Sequence, residues 1–144
     1  MQAFFICMQE PSKITVRVRY AETDQMRVVY HSNYFIWFEM GRVECLRQMG
    51  FDYKQMEIAD DCHLPVVEAT CRYKAPARYD EILTIETRIV ALRSGVIKFA
   101  YRLVRDEDSQ LLAEAQTTHI VVDGTMQRRT LPEKYVMAIR SQLG

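Results

Sequence analysis

Residues 13 to 20 alternate strictly: Ile14, Val16, Val18 and Tyr20 are separated by Lys13, Thr15, Arg17 and Arg19. A period of two places one face of an extended strand in a core and the other in water. A different pattern follows. From about Asn33 to Met49 the chain reads as its longest helix, stopped at Gly50, which suits the left-handed position just past a helix end. The first half of that helix (Tyr34, Phe35, Ile36, Trp37, Phe38, Met40) is apolar almost all round, which predicts a helix buried on most sides. Gly41 inside it costs about 1 kcal/mol relative to alanine, a cost that close packing of another backbone would offset.

A polar connection from Asp52 to His63 leads to a second alternating strand, where Val67, Ala69, Cys71 and Tyr73 are separated by Glu68, Thr70 and Arg72. Pro76 closes it, since proline cannot donate to a ladder. Residues 82 to 90 form a third strand with Leu83, Ile85, Thr87 and Ile89 on one face, and Ser94-Gly95 is a turn. The fourth carries Ile97, Phe99, Tyr101 and Leu103, the fifth runs from about Leu111 to Val122, and Pro132 opens a short terminal helix to about Gln142. Four strands joined by short connections imply antiparallel pairing. One sheet with one apolar face and one long apolar helix to cover it gives an α+β layer.

Composition narrows the class. The 144 residues make one domain, with a core from about residue 13 to 125. A formal net charge of zero offers no global attraction to nucleic acid or an anionic membrane, and no apolar run is long enough to span a bilayer. The four cysteines, Cys7, Cys45, Cys62 and Cys71, show no CxxC spacing, hence no zinc signature and no dense disulfide framework; reduced thiols in the cytoplasm are the simplest account. The apolar stretch Met1 to Met8 lacks a basic flank and is too short for a leader peptide.

The candidate chemistry lies between the first strand and the long helix, from Tyr20 to Tyr34. It holds a carboxylate, Asp24, then Val28-Val29-Tyr30-His31, then Ser32 and Asn33, either of which can cap a helix. A carboxylate just ahead of a helix start sits beside unpaired N–H donors and a partial positive charge, the groups that stabilise an oxyanion. Aspartate is equally a common turn residue.

The run Tyr20-x-x-Thr23-Asp24-x-x-x-Val28-Val29-Tyr30-His31-x-Asn33-Tyr34 resembles the active-site segment of the hotdog-fold thioesterases. It is similar to the branch of 4-hydroxybenzoyl-CoA thioesterase and of the acyl-CoA thioesterases of Tol–Pal gene clusters. Phe38-Glu39-x-x-Arg42 and Tyr73-x-x-Pro76-Ala77-Arg78-x-Asp80 extend the likeness. It implies a curved five-stranded antiparallel sheet wrapped around the central helix, paired into a homodimer and often a homotetramer. It implies an acyl-CoA substrate, no metal, and no cofactor beyond the coenzyme A that the substrate carries. Asp24 would be the nucleophile or the general base, and the backbone N–H of His31 would polarise the thioester carbonyl. Tyr30, Tyr20 and Asn33 would contact substrate.

Coenzyme A phosphates call for a basic rim. Lys74, Arg78, Arg93, Lys98, Arg128 and Arg129 are candidates, with Arg93 beside a turn and the Arg128-Arg129 doublet favoured; each reads equally as a solvated charge. Glu39 is a second possible acid, and otherwise an ion-pair partner of Arg42 at i, i+3. Cys45 and Cys71 sit on core-like patterns. A non-catalytic acyl-CoA or acyl-carrier-protein binding module of the same fold is the alternative function; a hotdog dehydratase would show an Asp-x-Asn-Pro-x-His motif, which is absent. Arg27 stands where the family usually has glycine. The expectation is an ordinary loop conformation with the side chain swung outward to solvent or to a coenzyme A phosphate.

Overall fold

The computed structural model describes residues 10–143; the apolar Met1–Met8 stretch and Cys7 lie outside them. Five strands, β1 (Ser12–Arg17), β2 (Val66–Tyr73), β3 (Ile82–Arg93), β4 (Val96–Arg105) and β5 (Gln110–Ile120), form one antiparallel sheet in the order β1-β3-β4-β5-β2. The helices are α1 (Asn33–Gln48), α2 (Tyr53–Ala59) and α3 (Glu133–Leu143). The sheet curls around α1, which is the hotdog arrangement.

The core is the meeting of two stripes. Along α1, Tyr34, Trp37, Phe38, Gly41 and Cys45 are buried at helical spacing. They face the inward residues of the strands, among them Leu83, Ile85, Ile97, Phe99, Tyr101 and Leu103. Gly41 is the point of closest approach: a Cβ there would stand 2.5 Å from Thr87 Oγ1 and 3.0 Å from Ile85 Cγ2. The helix therefore lies nearer the sheet than any side chain at this position permits, which offsets the helix-propensity cost. The helix ends as its sequence predicts, with Gly50 at φ +93° and its N–H donating to Arg47 C=O at 2.9 Å. Ser94 and Gly95, at φ +50° and +75°, make the two-residue β3–β4 turn with both central residues left-handed, the form that matches strand twist.

Three expectations change. Tyr20 is not in β1: the strand stops at Arg17, Tyr20–Glu22 form a single 3-10 turn, and Tyr20 is 78% exposed. The Asp52–His63 connection holds α2, capped by the Asp52 carboxylate accepting from Lys54 N–H at 2.9 Å. β5 stops at Ile120, and Val122 instead bridges to His63 and Arg128. α1 is buried on most sides, as expected, with Ile36 and Met40 exposed on the remaining one.

β2 is an edge strand, and its alternation yields almost no burial: Val66, Val67 and Tyr73 are all exposed.

Candidate active site

The segment between β1 and α1 is held by Glu22, a nearly buried carboxylate. Its Oε1 accepts from Arg19 N–H at 2.7 Å, and its Oε2 accepts from Trp37 Nε1 at 3.2 Å and from the Arg19 guanidinium at 3.3 Å. A buried charge with three donors is a strong fastener; here it ties the loop to α1. Its backbone serves as well, because Glu22 C=O accepts from Tyr30 N–H at 2.9 Å and from Asn33 Nδ2 at 2.8 Å. Asn33 thus uses its amide to close the loop on the helix start.

Inside that frame Thr23 pairs with Val29, Asp24 N–H donates to Val28 C=O at 2.9 Å, and Arg27 N–H donates to Asp24 C=O at 2.8 Å. This is a tight turn followed by one left-handed residue, a bulged hairpin end. The left-handed residue is Arg27, at φ +65°. The expected ordinary conformation is therefore wrong. The turn needs a positive φ at this position, which is why glycine suits it, and arginine adopts it at a cost of about 1–3 kcal/mol. The side chain is exposed, as expected. We expect Arg27→Gly to raise the urea midpoint by the equivalent of about 1 kcal/mol, strain relief exceeding the added freedom of the unfolded chain, and to shift KM more than kcat. A midpoint that falls would show that the loop carries no strain at Arg27.

Asp24 is half-buried. Its Oδ1 accepts from Met26 N–H at 2.8 Å, which orients the carboxylate. Oδ2 has no partner among the described residues. Asp24 and His31 line one cleft of about 310 Å³ with Lys74; Val28, Tyr34, Tyr73, Ala75 and Pro76 supply apolar walls. At the start of α1, Asn33 N–H donates to Tyr30 C=O at 3.0 Å and Tyr34 N–H to His31 C=O at 3.3 Å. Among the described residues the N–H groups of His31 and Ser32 donate to no acceptor. Asp24 and His31 thus line one cleft, the first with an oriented carboxylate and the second with an unpaired backbone N–H, group types that can serve acyl transfer.

The other candidate residues are distributed as follows. Tyr30 lies against the His31 ring, centroids 4.4 Å apart, outside the lining of the cleft. Tyr20 stacks edge-on against Tyr79 and borders a neighbouring depression of about 380 Å³ that also touches Asp24 and Arg27. Arg93, Arg128 and Arg129 are not brought to Asp24: they sit at the Arg93 end of β3, a strand about 35 Å long, and the Asp24 loop follows β1 at its Ile82 end. Arg129 donates to the carbonyls of Asp60 and Asp61, which fixes the loop after α2. Of the basic candidates only Lys74 lines the cleft, and it also pairs with Glu114 at 3.5 Å.

Glu39 is exposed on α1 away from this cleft, and Arg42 does not pair with it but donates to Tyr101 Oη at 3.1 Å. Burial pushes the Cys45 thiol up to about 11 and raises that of Cys71 as well, so both stay protonated and poorly nucleophilic. Two contributors were not singled out as site residues from sequence. Glu22 reads as one more solvated acid. Tyr73 carries the signal of a large aromatic at the end of an edge strand, in the second segment of resemblance.

Residues 18–139 match the thioesterase-like superfamily, and the chain belongs to that family of thioester hydrolases. It is 38% identical over 122 residues to the acyl-CoA thioester hydrolase YbgC of Escherichia coli O6:H1, covering 84% of this chain and 90% of that protein. Among solved structures it is similar to TT1821 from Thermus thermophilus (38% identity, TM-score 0.85, 91% of this chain and 98% of that one). A third similarity is to the DHNA-CoA thioesterase of Staphylococcus aureus (28% identity, TM-score 0.85, covering 90% and 89%).

Proposed function

We propose that the protein hydrolyses the thioester of an acyl- or aroyl-CoA, with the Asp24 carboxylate as the reacting group and the His31 backbone N–H polarising the carbonyl. The observation that carries this reading is the shared cleft: one Asp24 oxygen is fixed by Met26 N–H at 2.8 Å, the other has no partner among the described residues, and His31, whose N–H is likewise unpaired, lines the same cleft. The hydrolysis places one oxygen of water on the acyl carbon and releases coenzyme A as the thiol. These groups suffice for that chemistry without a metal or added cofactor, and coenzyme A enters only as part of the substrate. The reading keeps the chain in the cytoplasm, where Cys45, Cys62 and Cys71 would remain the free thiols they are here.

The test is release of free thiol from a panel of short, long and aromatic acyl-CoAs. Turnover of at least one class is expected. Tight binding of acyl-CoA with no thiol release from any would instead support the binding-module function.

The same reading includes assembly. β2 leaves an unpaired edge with Val66, Val67 and Tyr73 exposed, an arrangement that proteins cover or pair. Two-fold pairing of β2 with β2 in a second copy is antiparallel, so it sets the Arg93, Arg128 and Arg129 end of one chain beside the Asp24 end of the other. That geometry lets the distant arginines meet coenzyme A phosphates. Light scattering is expected to give two or four times the 16.9 kDa protomer mass. A mass near 16.9 kDa at micromolar concentration would exclude the shared site.

A further inference from the structure

The geometry points to Tyr73, on edge strand β2, as a positioning residue that aims the carbonyl-polarising N–H at the start of α1. The inference rests on the function proposed above. It starts from the peptide groups around His31. A trans peptide points its N–H and the C=O of the preceding residue in opposite directions, so the hold on Tyr30 C=O sets where the His31 N–H points, while the hold on His31 C=O fixes the next peptide and so anchors the His31 backbone from its other side. On one side, Tyr30 C=O is held by Asn33 N–H at 3.0 Å. On the other, His31 C=O accepts from Tyr73 Oη–H at 3.1 Å, supplemented by Tyr34 N–H at 3.3 Å. The first clamp is local to the helix start. The second comes from a strand 42 residues away in sequence, and it is the one that ties the backbone carrying the donor to the sheet.

The tyrosine is itself well fixed. Its ring packs edge-on against Tyr34 at 4.9 Å, and Tyr34 in turn lies 5.5 Å from Trp37 in the core. The His31 ring also stands edge-on to Tyr73, centroids 6.2 Å apart. Tyr34 Oη also accepts from Ala77 N–H at 3.4 Å, and Ala77 C=O accepts from Val29 N–H at 2.8 Å. The two sides of the cleft are thus joined through Tyr34 and Tyr73. Desolvation, then the neighbouring Cys71 thiol, raise the Tyr73 phenol well above its ordinary value, so it remains a donor at any working pH.

Tyr73 also lines the cleft, so its hydroxyl and its ring need separating. Tyr73→Phe keeps the wall and removes the clamp, leaving His31 C=O with only the 3.3 Å bond from Tyr34. The expected result is a fall in kcat of about tenfold or more, part of what loss of an oxyanion donor costs, with KM and acyl-chain preference unchanged. Tyr73→Leu should change KM and preference as well. The second readout is the infrared carbonyl band of acyl-CoA bound to Asp24→Asn protein, in which the thioester persists. Adding Tyr73→Phe should move that band to higher frequency, toward its position in free substrate, because the carbonyl is less polarised. Unchanged kcat and an unshifted band in Tyr73→Phe, with Asp24→Asn inactive, would overturn the positioning role alone. Full activity in Asp24→Asn would instead remove the function on which it rests.

Discussion

Asp24→Asn is expected to lower kcat on acyl-CoA by about a hundredfold or more, the scale for losing a nucleophile or a general base, and to leave the fold and KM close to unchanged. The fold should survive because asparagine retains an Oδ1, and that atom accepts the 2.8 Å bond from Met26 N–H that shapes the turn. Glu22, which ties the loop to α1, is untouched. What is lost is the negative charge and the open second oxygen. The measurement is steady-state thiol release, with circular dichroism and the urea midpoint as controls on folding. Activity within a few-fold of the unmodified protein would move the chemistry elsewhere, and Glu39→Gln would then be examined. A pre-steady-state experiment separates the two routes open to Asp24. If the carboxylate attacks, coenzyme A leaves as the acyl group forms an anhydride with Asp24, and a burst of thiol precedes free acid. If it takes a proton from water, thiol and acid appear together.

Much of the frame was legible in the sequence because burial there follows simple periods. β3 and β4 alternate strictly, and their inward residues Leu83, Ile85, Phe99 and Leu103 are fully buried. Gly41 and Gly50 could be read because each answers to a backbone requirement, close approach in one case and a left-handed helix end in the other. Other features had no such signal. α2 is seven residues with Met56 alone buried, so its only sequence mark is the Asp52 cap. The left-handed Arg27 was hidden because an arginine carries no sign of its φ; the family glycine was the better guide. Tyr73 was in view as an aromatic on a strand, but its bond to His31 C=O spans 42 residues and depends on how β2 meets the start of α1. The site arginines divide in the same way. Type and sequence position suggested Arg93 and Arg128-Arg129, while the antiparallel order of the sheet carried them to the end away from Asp24. In the β2–β2 pairing proposed above, a second copy would return them.

The other large effect concerns stability in acid, and it originates in a polar chain through the core. Ala113, Ala115, Thr117 and His119 share the inward face of β5, so two polar residues occupy positions the strand period assigns to the core. His119 is fully buried. Its Nδ1 lies 2.9 Å from Leu64 C=O, which can only accept, so Nδ1 bears the proton. Nε2 then accepts from Thr117 Oγ1 at 2.8 Å, Thr117 accepts from Tyr101 Oη at 2.6 Å, and Tyr101 accepts from the Arg42 guanidinium at 3.1 Å. Every member is satisfied, with all donors running one way. A second proton on His119 would turn Nε2 into a donor, force Thr117 to reverse, and leave the Tyr101 hydroxyl competing with Arg42. Burial first, and the Arg42 charge further, hold the imidazole down to about 4 against an ordinary 6.5. A folded value below the unfolded one means that the unfolded chain binds the extra proton more readily. The stabilisation is thus complete above pH 6.5 and is lost as pH falls toward 4. The displacement corresponds to about 3 kcal/mol, a large part of the stability of a domain this size. The lowered carboxyls of Asp60, Asp108 and Asp123 act below their ordinary 3.8, outside this window. Urea midpoints at pH 7.5, 6 and 4.5 should fall steeply for the unmodified protein. In His119→Asn the amide can still donate to Leu64 C=O; that variant should start less stable at pH 7.5 and lose most of the slope. An equal slope in both proteins would place the acid sensitivity in another group.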